Sequence, residues 1–177
     1  MTKHENTRTR EHENNKIKSG SGFTLIELLV AISIIGMLAG LLLPNFMGAR
    51  QRARDTQRKQ DLMQIKKALR LYYNDYQAYP TSNVNNEIVG CGAGGDEVCS
   101  WGSEFSDGSS TVYMKELPVG PSGSTDEPEY SYSRDALNSD DFELLVPLEN
   151  ESDPDMETSQ ENCGVGTTAP EYVVCAD

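Results

Sequence analysis

The stretch that decides the fold is residues 22–43, GFTLIELLVAISIIGMLAGLLL, in which Glu27 is the one charged side chain. At about 1.5 Å of helix rise per residue, residues 23–43 match the roughly 30 Å hydrocarbon core of a bilayer. The segment is therefore predicted to be a transmembrane helix. A carboxylate in such a helix costs free energy unless it finds a partner or reaches the membrane surface.

The cysteines indicate which side of the membrane the rest of the chain occupies. All four, Cys91, Cys99, Cys163 and Cys175, lie in the C-terminal half. We expect disulfides and an oxidising compartment there, because zinc sites need close pairs such as C-x-x-C, which are absent. Three pairings are possible, of which Cys91 with Cys99 and Cys163 with Cys175 close the shortest loops. The N-terminus is then expected in the cytoplasm.

A helical pattern continues beyond Pro44 but becomes amphipathic. Apolar residues recur at spacings of three and four, which predicts one packing face: Ala49, Ala53, Leu62, Ile65, Leu69, Tyr72 or Tyr73, and Tyr76. The predicted opposite face carries Arg52, Arg58, Lys59, Lys66 and Arg70. The helix should end before Pro80, since the residue before a proline disfavours the α region.

Charge separates the rest of the chain into two parts. Residues 44–79 contain eight basic and three acidic residues, whereas residues 80–177 contain two basic and 21 acidic ones. The acidic part should not bind nucleic acid, because affinity for phosphate comes from Lys and Arg. The basic run at 50–70 is interpreted as a solvated helix face. Binding of DNA or of anionic lipid there is a minor alternative.

The acidic part is predicted to be a small antiparallel β head. Alternation of apolar and polar residues indicates strands at 111–117, 129–134, 141–148 and 171–175. Residues 81–110 are interpreted as a long surface loop that contains Cys91 and Cys99, and residues 149–161 as an acidic loop. The fold class is therefore α+β, with a long N-terminal helix packed on an antiparallel sheet.

Enzymatic chemistry finds little support in the sequence. The two histidines, His4 and His12, lie in the polar segment before the apolar stretch, and no nucleophile motif or phosphate-binding loop is present. The acids Asp135, Asp140, Asp141 and Glu143 lack the spacing of a calcium loop, so a solvated acidic turn is favoured. We expect no cofactor and no metal, and a protein that is not an enzyme.

A polar, basic leader that ends in Gly22, followed by Phe-Thr-Leu-Ile-Glu-Leu-Leu-Val and an unbroken apolar run, resembles the N-terminus of type IV prepilins and type II secretion pseudopilins. The resemblance implies cleavage after Gly22 by prepilin peptidase and N-methylation of Phe23. Glu27 then stands at the fifth mature position, where the family has its glutamate. Residues 79 and 80, Tyr-Pro, fall where the family ends its long helix.

The resemblance also suggests roles for Glu27, Gly36 and Pro44. The amine that cleavage exposes on Phe23 could pair with Glu27 of the same subunit or of a neighbour, and the resemblance favours the neighbour. The alternative is a carboxylate that only reaches the lipid head groups. Gly36 and Pro44 mark the part of the helix that should bend or melt most easily, which would allow a filament to change length. An equally supported and compatible alternative is that Pro44 only kinks the helix where it leaves the membrane.

The resemblance implies a structural subunit of a type IV pilus, with a type II secretion pseudopilin or a competence pseudopilin for DNA uptake as the alternative. Four segments are expected: a cytoplasmic leader (1–22), a transmembrane helix (23–43), an amphipathic helix (44–79) and a pilin-like acidic head (80–177). The partners would be further copies in a helical filament, prepilin peptidase, an inner-membrane assembly platform and membrane lipid. The subunit would start as a single-pass inner-membrane protein and end in an extracellular filament or a periplasmic pseudopilus. The absence of a calcium loop and the resemblance of Cys163 and Cys175 to a pilin disulfide favour the pilus.

Overall fold

The computed structural model describes residues 22–109, 111–121, 130–166 and 170–176, and the side chains of residues 42–45 lie outside this description. The predicted leader, apart from Gly22, therefore falls outside the described residues. The chain divides into two units, Met1–Leu43 and Pro44–Asp177. Helix α1 (Leu25–Tyr76) contributes residues to both units.

In the first unit, α1 exposes its apolar side chains on all sides. Leu25 is 85% exposed, Ile26 71% and Met37 73%, although each is large and apolar. Among the described residues no single helix is long and apolar enough to cross a membrane. Two stretches joined at a bend, Leu25–Leu41 and Phe46–Tyr76, meet the criteria of length and composition together. The transmembrane segment at 23–43 stays a prediction.

In the second unit, α1 packs one face into the core of the head. Leu62, Ile65 and Leu69 are completely buried, and Tyr72 is nearly so. These positions repeat at three, four and three residues, which places their side chains on one side of a helix. The predicted packing face is thus confirmed in its central part. At its ends Ala49, Ala53 and Tyr76 are exposed.

The described part of the head forms three antiparallel sheets around this face. The first sheet consists of β1 (Thr81–Ser82), β2 (Ile88–Cys91) and β3 (Glu97–Val98). The second pairs β4 (Phe105–Ser106) with β5 (Val112–Met114). The third has β7 (Phe142–Pro147) between β6 (Ser131–Arg134) and β8 (Glu171–Cys175). An α+β fold with a long helix packed on antiparallel sheets is confirmed.

The third sheet supplies the part of the core that the sequence predicted best. Phe142, Leu144 and Val146 alternate along β7 and are all buried, as expected for a strand with one face on a core. Leu144 pairs with Tyr132 on one side and with Val174 on the other. The strands predicted at 111–117, 129–134, 141–148 and 171–175 therefore exist, three of them shorter than expected.

Two loop predictions were wrong. Residues 81–110 contain strands β1 to β4, because Ile88 and Phe105 are buried and fix short strands that no alternating pattern reveals. Residues 149–161 were predicted to be an acidic loop but include most of helix α2 (Pro154–Cys163). The side chain of Asp153 accepts from the N–H of Asp155 as an N-cap, Pro154 begins the helix, and Gly164 ends it at φ 67°.

Candidate functional site

Thr24 and Glu27 form a capping box at the start of α1. The backbone N–H of Thr24 and its hydroxyl both donate to Oε2 of Glu27, at 2.9 and 2.6 Å. In return the N–H of Glu27 donates to Oγ1 of Thr24 at 3.3 Å. This reciprocal pair satisfies N–H groups that the first helical turn leaves without partners. The T-x-x-E spacing was visible in the sequence, yet sequence reasoning did not single out Thr24.

The second oxygen of Glu27, Oε1, has no hydrogen-bond partner among the described residues. Gly22 and Phe23 precede the helix and are exposed, Phe23 by 82%. Glu27 thus lies one helical turn from Phe23, with one oxygen engaged within the subunit and the other available. This arrangement could accept a cation without breaking the capping box.

Gly36 has open space around it. A Cβ built on this glycine would meet no atom within 4 Å beyond its neighbours and the adjacent helix backbone, and the same holds for Gly40. Packing within the subunit therefore does not require glycine at either position. Pro44 continues the helical backbone, and its side chain lies outside the description. That Gly36 and Pro44 loosen the helix stays a prediction.

Asp55 anchors α1 to the chain that follows β7. Its carboxylate is 1% exposed, and it accepts hydrogen bonds from the backbone N–H groups of Glu149 and Asn150, each at 2.9 Å. Arg58 donates to it at 2.8 Å, three residues along the helix. The sequence placed Arg58 on a solvated face, and this was wrong. Arg58 is buried because Asp55 and Glu149 compensate its charge.

Glu149 connects two arginines of α1. Its carboxylate accepts a two-pronged hydrogen bond from Arg54 and a further bond from Arg58 at 2.9 Å. The hydrogen bond from Arg54 lowers the pKa of Glu149 to about 2, although partial burial acts in the opposite direction. The segment between β7 and α2 is therefore held to α1 by charge-assisted bonds at several adjacent points.

Lys59 holds the start of α2 against α1 in the same way. Its ammonium lies 2.6 Å from Asp153 and 2.8 Å from Asp155, and 5.4 Å from the centre of the Tyr172 ring. Burial alone would raise the pKa of Asp153, but hydrogen bonds from Lys59 and from the N–H of Asp155 outweigh it, so the pKa is lowered. Of the basic run at 50–70, Arg54, Arg58 and Lys59 therefore form ion pairs inside the subunit, so the solvated face predicted for Arg58 and Lys59 was wrong.

Both short-loop disulfides are present in the head. Cys91 is bonded to Cys99 between β2 and the residue after β3, and Cys163 is bonded to Cys175 between the end of α2 and the end of β8. The described residues contain no free cysteine. The second disulfide fastens α2 at its C-terminal end, while Lys59 fastens it at its N-terminal end.

Two of the four acids that the sequence singled out are engaged in turns. Asp135 accepts from the N–H of Leu137 at 2.7 Å, and Asp141 accepts from the N–H of Phe142 at 2.9 Å. Within the described ranges, no group of three or more His, Cys, Asp or Glu residues is arranged to hold a metal ion. Asp135 and Asp141 act locally, as turn-forming side chains do, whereas Asp140 bonds to Tyr73 of α1.

Comparisons with known proteins agree with this geometry. Residues 17–43 match the family model described as the prokaryotic N-terminal methylation motif. Gly22, Phe23 and Glu27 lie within the matched residues. No solved structure gives a significant match to the chain.

Several curated relatives carry one name, type II secretion system core protein G. The relative from Pseudomonas aeruginosa is 38% identical over 104 residues, which cover 58% of this chain and 68% of the relative. The one from Aeromonas hydrophila is 36% identical over a match of the same extent. The one from Escherichia coli is 41% identical over 68 residues, 38% of this chain and 47% of the relative. The chain therefore belongs to the family of type IV prepilins and pseudopilins that includes these core proteins.

Proposed function

We propose that this protein is a pseudopilin, a filament subunit of a type II secretion system. The observation that carries the proposal is the similarity to core protein G over 104 residues. This match is much longer than the methylation motif at residues 17–43, so the similarity extends beyond the helix start. The sequence alone favoured a type IV pilus, with the pseudopilin as the alternative, and the comparisons support the alternative better.

The first step of the proposed pathway concerns the N-terminus. Prepilin peptidase cleaves after Gly22, and the new amine of Phe23 is methylated. The exposure of both residues directly before α1 supports access to this peptide bond. Until assembly, the apolar side chains of residues 23–43 are covered by inner-membrane lipid, and an assembly platform then moves the subunit into a periplasmic filament.

The second step uses Glu27. The amine of Phe23 in a neighbouring subunit pairs with Oε1 of Glu27, the oxygen that the capping box leaves unused. Opposite charges attract strongly in apolar surroundings, so this pair would set the register between adjacent helices. Pairing with Oε1 keeps the bonds from Thr24 to Oε2 intact, and α1 therefore does not have to unwind.

Glu27 variants test this step. We expect Glu27→Gln and Glu27→Leu to reach the membrane at wild-type levels and to yield far fewer filaments, because neither offers a negative charge to the amine. Filament yield is measured by shearing, sedimentation and immunoblotting of cells that overproduce the system. The matched control is Glu157→Gln, a change at an exposed glutamate of α2. Normal filament yield from both Glu27 variants would refute the pairing.

Deletion of the gene tests whether the protein serves protein secretion or a surface pilus. In the organism that encodes the protein, we expect loss of its gene to leave exported proteins in the periplasm, while surface pili remain visible by electron microscopy. Complementation by the full chain should restore export. Loss of surface pili with normal export would favour the pilus, and loss of DNA uptake alone would favour a competence pseudopilus.

A further inference from the structure

A shallow groove of about 340 Å³ lies along the outer side of α1 in the head, and we name it the α1 groove. Met63 lines it and is 44% exposed, although its side chain is large and apolar. The accessible lining is mainly apolar, because lysine side chains contribute their carbon stems to it. The lining residues all come from one face of α1: Thr56, Lys59, Gln60, Met63, Gln64 and Lys67.

This face of α1 carries positive charge and no exposed acid. Between residues 56 and 74 the one acid is Asp61, which is buried and accepts a hydrogen bond from the hydroxyl of Tyr130 at 2.6 Å. Lys59 is already paired with acids at the start of α2. Lys67 is exposed and has no ion pair or hydrogen bond with a described residue. A partner that fits the α1 groove therefore combines an apolar side chain with negative charge.

The segment between β6 and β7, residues 135–141 and here the β6–β7 turn, has both properties. Leu137 is 98% exposed, and the turn, DALNSDD, carries three acids and no base. Arg134 precedes the turn and donates to the carbonyl of Tyr79 at 3.1 Å. An exposed leucine is common on protein surfaces. Here it stands among acids, and this combination complements an apolar groove that is bordered by an unpaired lysine.

Hydrogen bonds fix the shape of the β6–β7 turn. Asp135 accepts from the N–H of Leu137 at 2.7 Å. The N–H of Tyr79 donates to the carbonyl of Ser139 at 2.9 Å, which ties the turn to the segment that follows α1. An ordered turn loses less conformational entropy on binding than a mobile one does. Leu137 is therefore presented to a partner at little entropic cost.

We propose that the β6–β7 turn of one copy binds in the α1 groove of a second copy, with Leu137 on Met63 and the acids of the turn beside Lys67. The groove and the turn are different surfaces of the same head. Each copy therefore binds one neighbour through its groove and another through its turn, which produces an open chain. The inference rests on the proposed filament function and names the surfaces of the head that join in the filament.

Other occupants fit the α1 groove less well. Val84, in the turn between β1 and β2, is also 98% exposed, but the one acid of that turn, Glu87, is bonded to Asn83. A phosphate of DNA or of a lipid head group would pair with Lys67 but would leave Met63 uncovered. A second α1 face would bring like charges together. The β6–β7 turn supplies the apolar contact and the opposite charge at once.

Cross-linking between two differently tagged full chains tests the contact. One chain carries Gln64→Cys at the groove, and the other carries Ala136→Cys beside Leu137, both at exposed positions. A bismaleimide reacts only with thiols, and the four native cysteines form disulfides. We expect a cross-linked dimer in membranes and in sheared filaments. Gln64→Cys with Asn85→Cys, which lies in the turn of Val84, is the matched control and should give several times less dimer.

Charge exchange tests the part played by Lys67. Lys67→Glu should lower filament yield about fivefold or more, because like charges then meet at the contact. Asp140→Lys should have the same effect, and Asp140 is chosen because Asp135 and Asp141 accept backbone N–H bonds that shape the turn. The double variant restores opposite charges and should recover most of the yield.

The apolar contact is tested separately. Leu137→Ser should lower filament yield, whereas Val84→Ser, at an equally exposed position, should not. These variants and the charge exchanges all change exposed residues, so their melting temperatures should stay near that of the wild type. A fall in yield at an unchanged melting temperature reports on contact between copies and not on folding.

Several results would overturn the proposal. These are no cross-link in membranes or filaments, equal cross-linking at both turns, normal yield from Leu137→Ser, or a double charge variant no better than either single one. Cross-linking of Gln64→Cys to a different protein would assign the groove to that protein. Loss of binding to anionic vesicles in Lys67→Glu, with normal filaments, would assign it to lipid. The proposed secretion function is tested by export after gene deletion, so its failure is read independently of the cross-link.

Discussion

At the residue scale, Glu27 serves two purposes with two oxygens. Oε2 closes the capping box with Thr24, and Oε1 has no partner among the described residues. The capping box starts α1 next to the predicted cleavage site, so the geometry of the carboxylate is set before any neighbour arrives. A fixed carboxylate loses less conformational entropy on pairing than a mobile one does.

Thr24 variants test whether the box orders the helix start. Thr24→Val keeps the shape but removes the hydroxyl, and we expect it to destabilise the first turn by about 1 kcal/mol, as loss of an N-cap usually does. Amide hydrogen exchange of residues 25–28 in the full chain should become faster. Thr24→Ser retains the hydroxyl and is the matched control. Equal exchange rates in wild type and Thr24→Val would contradict the role of the box.

Asp55 is the second residue that matters at this scale, because it holds α1 to the chain after β7. An almost fully buried carboxylate is costly unless it is paired, and here two backbone N–H groups and Arg58 pair it. Removing the carboxylate would leave Arg58 with a reduced set of partners and two N–H groups with none. The loss of these bonds would weaken the packing between α1 and the chain after β7.

Asp55→Ala should therefore lower the free energy of unfolding by about 3 to 5 kcal/mol, the usual cost of breaking a buried ion pair. Denaturant unfolding of the full chain, followed by fluorescence of Trp101, measures it, since Trp101 is the only tryptophan and is buried. Asp155→Asn is the control, because the side chain of Asp155 is 66% exposed, and it should cost less than about 1 kcal/mol. Similar losses in both variants would refute the special role of Asp55.

At the scale of elements, α1 and α2 are joined by charge and not by an apolar seam alone. Arg54 and Arg58 of α1 hold Glu149, and Lys59 holds Asp153 and Asp155 at the start of α2. The disulfide between Cys163 and Cys175 then fixes the other end of α2 to β8. The contacts to carboxylates depend on pH, whereas the disulfide does not.

The pH dependence follows from Glu149. Its pKa falls from the ordinary 4.5 to about 2, chiefly through the hydrogen bond from Arg54. The unfolded chain therefore binds this proton at higher pH than the folded chain does, and stability rises with pH in this window. The contribution is complete above about pH 4.5 and is lost as the pH falls towards 2.

Glu149→Gln removes this titration. Melting temperatures of the full chain between pH 6 and pH 2 should fall less steeply in Glu149→Gln than in the wild type. The variant should also be less stable near pH 6, because Arg54 and Arg58 lose a charged partner. Glu157→Gln, at an exposed position of α2, should keep the wild-type slope. Parallel slopes in all three proteins would contradict the assignment.

At the scale of the whole molecule, the two units differ in how their apolar side chains are kept from water. The head buries Leu62, Ile65 and Leu69 of α1 within one chain. The first unit leaves large apolar side chains such as Ile26 and Met37 exposed, so they need lipid or other subunits to cover them. Assembly is the process that would exchange one cover for the other.

A substitution at Gly36 separates the stability of the head from packing between subunits. A Cβ at this position meets no atom within 4 Å beyond its chain neighbours and the adjacent helix backbone, so we expect Gly36→Leu to leave the melting temperature of the head unchanged. We expect it to reduce filament yield, because helices of neighbouring subunits could no longer approach closely at this point. Leu38→Ile, a change of shape without added volume, is the matched control. Normal yield from Gly36→Leu would show that Gly36 has no packing role in assembly.

Sequence patterns predicted the elements whose apolar repeat continues over several residues. They missed the elements that depend on one or two buried residues. Alternation along β7 and the stripe from Leu62 to Tyr72 were sufficient, because each repeats over several residues. The four short strands between residues 81 and 106 carry no such repeat. Helix α2 was missed although Asp153, Pro154 and Gly164 give the usual signals for its start and end, because its acidic composition suggested a loop.

The sequence by itself determined the helix start, the family and the packing face of α1, because each depends on neighbours a few residues apart. Thr24 and Glu27 are three residues apart, and the residues of the methylation motif are contiguous. Only the tertiary structure decided that Arg58 is buried and that Asp55 binds the chain after β7. The contacts of Asp55 and Arg58 with residues 149 and 150 join positions 91 to 95 residues apart along the chain, and their energies depend on burial, which no local pattern encodes.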